Sequence, residues 1–392
     1  MGNKKFLEDK IINYAKELGF DLVKILPAQS LDENLQKSFY DWIYFEYAGD
    51  MEYMKKEPEK RADLLKKFPD AKSIIVLGMN YFMEEKASPT CPNDLFGRKD
   101  SFWRGKRESS FAKATADKKE KEKAEGKVAR YAWGRDYHKV IELKLKKLKE
   151  FILRNVDSGE TQNDIFKMYV DYGPILERAY AVKAGFGFIG RNTCLITKEF
   201  GSWVFLAELI TNLEIQEKGE RKEDEKDHFG CGNCVQCLQV CPTGALETPY
   251  KLNAKKCISY LTIENKGSIP EKSRPLIGDW LYGCDLCQEV CPYNARAKAT
   301  KEPDFKKQIL GDTQILKDVL SIRTDQEFRQ KFAGSPVIRI KRKGLLRNAC
   351  VVAGNLKDRS LLPVLEECLK KDPEPLIREH AKWGIRKINN EK

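Results

Sequence analysis

Apolar residues along this chain follow two alternating rhythms, a helical one of about 3.6 residues and short unbroken runs. Residues 1–20 place Ile11, Ile12, Ala15 and Leu18 on one helical face, and Gly19 closes the helix. FDLVKILP then reads as a strand, and residues 31–66 are helical and charged. KSIIVLGMNY, 72–81, is a β-branched and aromatic run, the pattern of a buried strand. ARYAWGRDYHKVIELKLKKLKEFI is a loop feeding a helix that carries Val140, Leu143, Leu145 and Leu148. IFKMYVDYG is another strand, and LERAYAVKAGFGFIG a helix ending in a glycine-rich turn. CLITKEFGSWVFLAELITN reads as a strand pair turning at Gly201. The alternation predicts an α/β domain over about 1–220.

Two stretches break the pattern. Residues 84–127 end in FAKATADKKEKEKAEGK, which has almost nothing to bury and reads as a solvated loop or a loose exposed helix. Residues 214–229 form a charged linker. Beyond 300 the texture becomes helical: LLRNACVVAGNL, SLLPVLEECLKK and LIREHAKWGIRKI are separated by breaks at KDRS and DPEP. Such helices suggest a short α-solenoid of the HEAT type. Two helix pairs are few for a freestanding solenoid, so this segment is expected to pack on the rest of the chain.

At 392 residues the chain has room for two or three domains, and 41% hydrophobic with 33% charged residues fits a globular protein. No apolar run is long enough to span a membrane. The first twenty residues have neither an apolar signal core nor a twin-arginine pair, so a reducing cytoplasm is the expected compartment. Lys and Arg total 71 against 59 acids, a formal net charge of +12, which is compatible with a nucleic-acid partner. A monomer is the default expectation.

Cysteine placement changes the picture most. Of twelve cysteines, eight lie between 231 and 291, while Cys91, Cys194, Cys350 and Cys368 are scattered. CGNCVQCLQVCP is the bacterial ferredoxin run, in which three cysteines hold one 4Fe–4S cluster and the fourth holds another. The second run, CDLCQEVCP, lacks a first cysteine, which Cys257 can supply. The first cluster then takes Cys231, Cys234, Cys237 and Cys291, and the second takes Cys241, Cys257, Cys284 and Cys287. One zinc site would leave half of these thiols unexplained. Cys194, in an apolar strand, and Cys350 and Cys368, on apolar helical faces, read as core residues.

Two clusters imply delivery of single electrons to something else. No G-x-G-x-x-G or Walker loop is present, so neither a Rossmann dinucleotide site nor an NTPase is indicated. Instead Y-A-W-G-R-D-Y-H at 131–138, D-Y-G-P at 171–174, E-R-A at 177–179 and G-F-G-F-I-G-R-N-T at 185–193 gather glycines, aromatics and polar groups in loops beside strands. That texture suits a flat cofactor lying against backbone. Taken by itself, Asp171 before Gly173-Pro174 is a turn residue at a strand end.

Together with G-S-W-V-F-L, C-I-S-Y-L-T-I-E and G-C-D-x-C-Q-x-V-C-P, these strings make the chain resemble the epoxyqueuosine reductases, from about residue 5 to 390. The resemblance implies a cobalamin-dependent iron–sulfur enzyme that removes the epoxide oxygen of epoxyqueuosine at the tRNA wobble position, the last step in making queuosine. It implies an α/β, nitroreductase-like cobalamin-binding domain over 1–225, a ferredoxin-like two-cluster module over 226–300, and a HEAT-like, tRNA-contacting helical domain over 301–392. The family's link before Y-A-W-G is shorter than residues 84–127, which therefore read as a surface insertion.

By the same resemblance Asp171 is the acid that lets the epoxide oxygen leave. Tyr137 and His138 line the cofactor or substrate pocket, although His138 also reads as a satisfied loop histidine. Arg61 matches an arginine that approaches the cofactor, or is an exposed helical arginine. Arg191 and Asn192 either cap a glycine turn or touch the cofactor. Cys284 and Asp285 are expected near the corrin, because the second cluster must approach it. Arg339, Lys341, Arg342, Lys343 and Arg347 crowd one stretch that can track the phosphates of an anticodon stem-loop, or form a solvated basic face. A ferredoxin or flavodoxin is the implied electron donor. Rival readings are a reductive dehalogenase acting on a small molecule, an electron-transfer module without chemistry of its own, and an RNA-binding protein with structural clusters.

Overall fold

The computed structural model describes residues 2–83, 124–156, 165–215 and 230–390, with side chains from residue 6. Helix α1 (Gly2–Glu17) leads into β1 (Leu22–Pro27), then α2 (Glu33–Tyr44) and three short helices, α3 (Glu52–Lys55), α4 (Pro58–Ala62) and α5 (Leu64–Lys67). Strand β2 (Ser73–Asn80) follows, and the described chain resumes with β3 (Glu125–Val128), α6 (Tyr137–Asn155) and β4 (Phe166–Tyr169). Next come α7 (Glu177–Lys183), β5 (Gly187–Ile189), β6 (Leu195–Thr197) and β7 (Val204–Thr211).

The main sheet runs β1-β2-β7-β4, and every pair in it is antiparallel. Helices cover both faces, which is why β2 is buried along its whole length. Ile75 and Leu77 face a core shared with Ile11 of α1 and Ile141, Leu145 and Leu148 of α6. Ile74 and Val76 face Leu64, Ala179 and Tyr180. Leu143, expected on the buried face of α6, is 54% exposed. The apolar stripe uses Ile141 and Ile152 instead, one helical step round. The expected β6–β7 pair also differs: β6 pairs with β5, and β7 enters the main sheet. Cys194 sits in the turn before β6, where its amide donates to Asn192 Oδ1 at 3.2 Å.

The cysteine region holds α8 (Gln236–Val240), β8 (Leu246–Thr248), β9 (Lys251–Leu252), a π-helical turn at Tyr260–Glu264, β10 (Trp280–Tyr282) and α9 (Leu286–Glu289). After α10 (Pro303–Lys306), β11 (Thr313–Ile315) and α11 (Leu316–Leu320) come α12 (Asp325–Lys331), α13 (Lys341–Leu356), α14 (Leu362–Lys371) and α15 (Pro375–Ile388). The last three match the three helices read from the sequence.

A three-stranded sheet, β10-β3-β11, stitches these regions together. β3 overlaps the end of the stretch 84–127 expected to be unstructured: EGKV is polar, but two partners hold it, and Gly126 leaves no room for a Cβ against Leu281. The rest of that stretch, with Cys91, and most of the 214–229 linker lie outside the described residues. The helical segment packs on the rest of the chain as expected: Val128 and Leu281 share a core with Leu346, Cys350 and Leu365, while Val351 and Trp383 join Ile258 and Trp280.

Candidate active site

Strand β4 ends at Tyr169, and two residues later Asp171 takes a left-handed backbone with φ 62°. A non-glycine residue held there is unusual and marks a position fixed by its surroundings. Three contacts fix it. The Tyr137 hydroxyl donates to Asp171 Oδ2 at 2.6 Å. Arg61 donates from Nη1 to Gly173 O at 2.8 Å and from Nη2 to Tyr53 O at 3.0 Å. The Tyr172 hydroxyl donates to Glu142 at 2.8 Å, tying the loop to α6. Gly173 is required, since a Cβ would stand 2.8 Å from that of Tyr169. Asp171 itself remains exposed.

Tyr137 opens α6 and is held flat between two rings, Phe205 at 4.1 Å and His138 at 4.0 Å. Asp136 caps the helix by accepting the His138 amide, and its Oδ1 also lies 2.8 Å from His138 Nδ1. Burial and then Asp171 push the Tyr137 phenol well above its ordinary range, so it stays a donor. Arg339 approaches from the helical region and forms an ion pair with Glu264. Burial opposes its charge, but Glu264, Tyr53 and Asp171 together hold the guanidinium strongly protonated. Asp171 therefore sits where all three regions of the chain meet.

Behind Asp171 lies a feature that the sequence reading missed. Glu208, on β7, stands opposite Tyr169 of β4 and Val76 of β2, and it is 0% exposed. It shares its face of β7 with Leu206 and Ile210. Its carboxylate neighbour is Glu177, the first residue of α7, and Glu177 Oε1 and both Glu208 oxygens are buried without a hydrogen-bond partner among the described residues. Burial first, and the neighbouring carboxylates next, raise both glutamates. A single acid at an inward position of the apolar run VFLAELIT was the available signal.

The cysteines of residues 231–291 are neighbours of one another. Burial raises Cys237 and Cys291, and Cys231 and Cys234 raise them further. Burial also raises Cys257, Cys284 and Cys287; Cys241 adds to the first, Cys257 and Cys241 to the second, and Cys194, then Cys257 and Cys284, to the third. All eight cysteines of the two expected quartets lie in this one region of the fold. Among the described residues no three His, Cys, Asp or Glu side chains crowd around one point as a single ion requires. Open quartets of thiols are the donor set of 4Fe–4S clusters.

Other expected site residues serve the cluster loops. Arg191 donates its amide to Cys231 Sγ at 3.4 Å and its Nη2 to Gly232 O at 2.6 Å. Asn192 Nδ2 donates to Cys287 O at 3.2 Å. Asp285 accepts the Arg130 amide at 2.6 Å, and burial pushes its carboxyl up to about 7. The bonded Asp285 Oδ2 anchors the loop carrying Cys284 and Cys287.

Two of the expected tRNA contacts need correction. Arg342 and Arg347 are 3% and 1% exposed and cannot track phosphates. Arg342 pairs with buried Asp372, and Arg347 donates to the backbone oxygens of Leu261, Asn265 and Gly267. Arg339, Lys341 and Lys343 are exposed.

Comparison with known proteins decides the family. Residues 230–294 match the model of a 4Fe–4S double cluster binding domain, and residues 108–171 match that of "Epoxyqueuosine reductase QueG, DUF1730". The epoxyqueuosine reductase of Escherichia coli (strain K12) is 35% identical over 381 residues, 97% of this chain and 89% of that protein. The chain belongs to the epoxyqueuosine reductase family. Solved family members share its shape. One, with an epoxyqueuosine-modified tRNA-Tyr stem loop, is 32% identical with a TM-score of 0.79, covering 98% of this chain and 91% of its own. Another, from Bacillus subtilis, is 32% identical with a TM-score of 0.78 over 98% and 91%; it is described with a catalytic aspartate loop swung out of the active site. The family's cluster module falls on the eight cysteines placed above. Among the described residues no helix is long and apolar enough to cross a membrane.

Proposed function

We propose that this chain reduces epoxyqueuosine to queuosine at the wobble position of tRNA, with Asp171 as the acid for the departing oxygen. The observation that carries the reading is the Tyr137–Asp171 hydrogen bond on a left-handed strand end, in a chain of this family whose residues 230–294 match a 4Fe–4S double cluster binding domain. Taking an epoxide oxygen off as water breaks two C–O bonds, forms a C=C bond and consumes two electrons and two protons. The eight thiolates would hold two 4Fe–4S clusters, which when bound pass electrons one at a time from a ferredoxin- or flavodoxin-class donor.

Cobalamin fits the polar groups that the fold leaves unused. Arg61 Nε and Arg191 Nε are buried without a hydrogen-bond partner, and they flank the Asp171 loop and the first cluster loop. They would hold the cofactor's amide and phosphate groups, with Tyr137, His138 and Asn192 beside it. Bound cobalamin in its lowest oxidation state supplies a strong nucleophile at the carbon bearing the epoxide. The protein's own work is acid–base and positional. Tyr137 occupies Asp171 Oδ2, so the proton passed to the substrate leaves from the other carboxyl oxygen. The Arg61 and Tyr172 contacts hold that carboxyl in place. Exposed Lys341, Lys343 and Arg339 form a basic rim for phosphates, and the wobble nucleotide swings out of its loop to reach Asp171.

The test is anaerobic reconstitution of the clusters, then incubation with epoxyqueuosine-bearing tRNA, a low-potential reductant and cobalamin, with mass spectrometry of the digested nucleosides. Queuosine that appears only when cobalamin is present supports the reading. Intact clusters and bound cobalamin with no queuosine contradict it.

A further inference from the structure

Residues 190–194 join β5 to β6 in a tight turn. The Gly190 amide donates to Cys194 O at 2.8 Å, and Thr193, with φ 66°, donates its own amide to Gly190 O at 2.8 Å. Asn192 Oδ1 accepts the Cys194 amide at 3.2 Å. A turn bonded this closely presents its two middle residues at fixed positions, and they reach both cluster loops.

Arg191 meets the first loop twice. Its amide donates to Cys231 Sγ at 3.4 Å, and its Nη2 donates to Gly232 O at 2.6 Å. The Tyr250 amide donates to Arg191 O at 3.1 Å, so the residue is also held from its other side. Its guanidinium forms no ion pair with a carboxylate among the described residues, and its Nε is buried without a partner there. The second quartet meets uncharged groups at the corresponding contacts. Asn192 Nδ2 donates to Cys287 O at 3.2 Å, and Thr243 Oγ1 lies 3.5 Å from Cys241 Sγ.

Reduction adds one negative charge to a cluster. A cation fixed on the cluster's loop and an N–H donated to its sulfur both stabilise the reduced form. Arg191 is half-buried, which limits the screening of its charge. We propose that Arg191 raises the reduction potential of the cluster held by Cys231, Cys234, Cys237 and Cys291, making it the more easily reduced of the two. This cluster therefore fills first when a donor delivers electrons one at a time. Only an electron is transferred in the step, so no bond changes. Arg191 acts here through the cluster and not on the substrate.

The inference rests on the two-cluster part of the function proposed above and not on its substrate, so its test uses neither cobalamin nor tRNA. The full chain, loaded with clusters in the absence of oxygen, is titrated with redox mediators while electron paramagnetic resonance counts reduced clusters. Wild type is expected to reduce in two one-electron steps. Arg191→Gln should lower the higher step by about tenfold in its reduction equilibrium, ~59 mV for one electron, and leave the lower step in place. Arg191→Lys keeps the charge and should stay closer to wild type than Arg191→Gln. Thr243→Val removes a hydroxyl from the second quartet and should move the lower step instead, which tells the two clusters apart. Equal potentials in wild type overturn the inference, as do an unmoved higher step in Arg191→Gln, a shift of both steps together, or a higher step that follows Thr243→Val. An Arg191→Gln protein that loses one cluster outright also overturns it, because Arg191 would then be a structural clamp. Wild type that loads fewer than two clusters overturns the two-cluster reading as well. Wild type that shows the expected potentials but makes no queuosine overturns the function and supports the inference.

Discussion

Arg347 in the helical region and Glu208 behind Asp171 are equally shut off from water, at 1% and 0% exposure. Arg347 ends on the oxygens of Leu261, Asn265, Gly267 and Asn348, while neither Glu208 oxygen meets a donor. His380 follows the first pattern: Nδ1 lies 2.7 Å from Leu376 O and Nε2 accepts the Ile269 amide at 3.2 Å, a neutral ring fixed in one tautomer. Buried polar groups with every bond accounted for hold regions together; Arg347 ties α13 to the segment after Cys257. Buried acids left without donors carry a desolvation cost instead.

The comparison breaks or sharpens under four changes, ordered by size. Arg342→Ala strands Asp372 in the core and is expected to cost about 3–5 kcal/mol of unfolding free energy, with activity per folded molecule retained. Denaturant titration measures it, and a cost near zero would place Arg342 outside the structural class. His380 comes next. Burial, with Arg274 nearby, lowers it from 6.5 to about 4. Between those values the unfolded chain binds the extra proton and the folded one does not. Its contribution is therefore full above about pH 6.5 and lost as pH falls toward 4, on the order of 3 kcal/mol. Melting curves of His380→Gln should lack that part of the acid slope, and an unchanged slope contradicts the assignment.

Smaller effects are expected on the surface. Lys341→Ala and Lys343→Ala should each weaken stem-loop binding a few-fold and lower the salt slope by about one. Stability should move by less than about 0.5 kcal/mol. An unchanged salt slope would remove both lysines from the interface. Smallest of all, Glu208→Gln should shift unfolding by less than about 1 kcal/mol, because the amide matches the carboxyl in size and carries no charge to desolvate. A larger loss would return the pair to the structural class.

Much of this was legible in the residues. The unbroken run 72–81 needs helices on both faces and has them, and the cysteine spacing pointed to the double-cluster module that the family comparison finds over 230–294. Charge was the poor guide. Arg339, Lys341, Arg342, Lys343 and Arg347 look alike in the chain, yet α13 turns Arg342 and Arg347 inward. Only the packing of α13 separates them: Arg347 meets the segment after Cys257, and Arg342 meets Ile322 O and Asp372. β3 was missed because EGKV gains its order from β10 and β11, which lie far along the chain. Asp171 read as a turn residue until the family resemblance gave it a role, and Glu177 and Glu208 stayed hidden because their meaning lies in a pairing between α7 and β7.

Asp171→Asn tests the central claim most directly. The change keeps the Tyr137 contact and removes the acidic proton. Single-turnover conversion of an epoxyqueuosine-bearing stem loop, with clusters and cobalamin loaded to the wild-type level, should slow by at least about a hundredfold with cluster absorbance and melting unchanged. Conversion at the wild-type rate would contradict the account, because another group would then be delivering the proton.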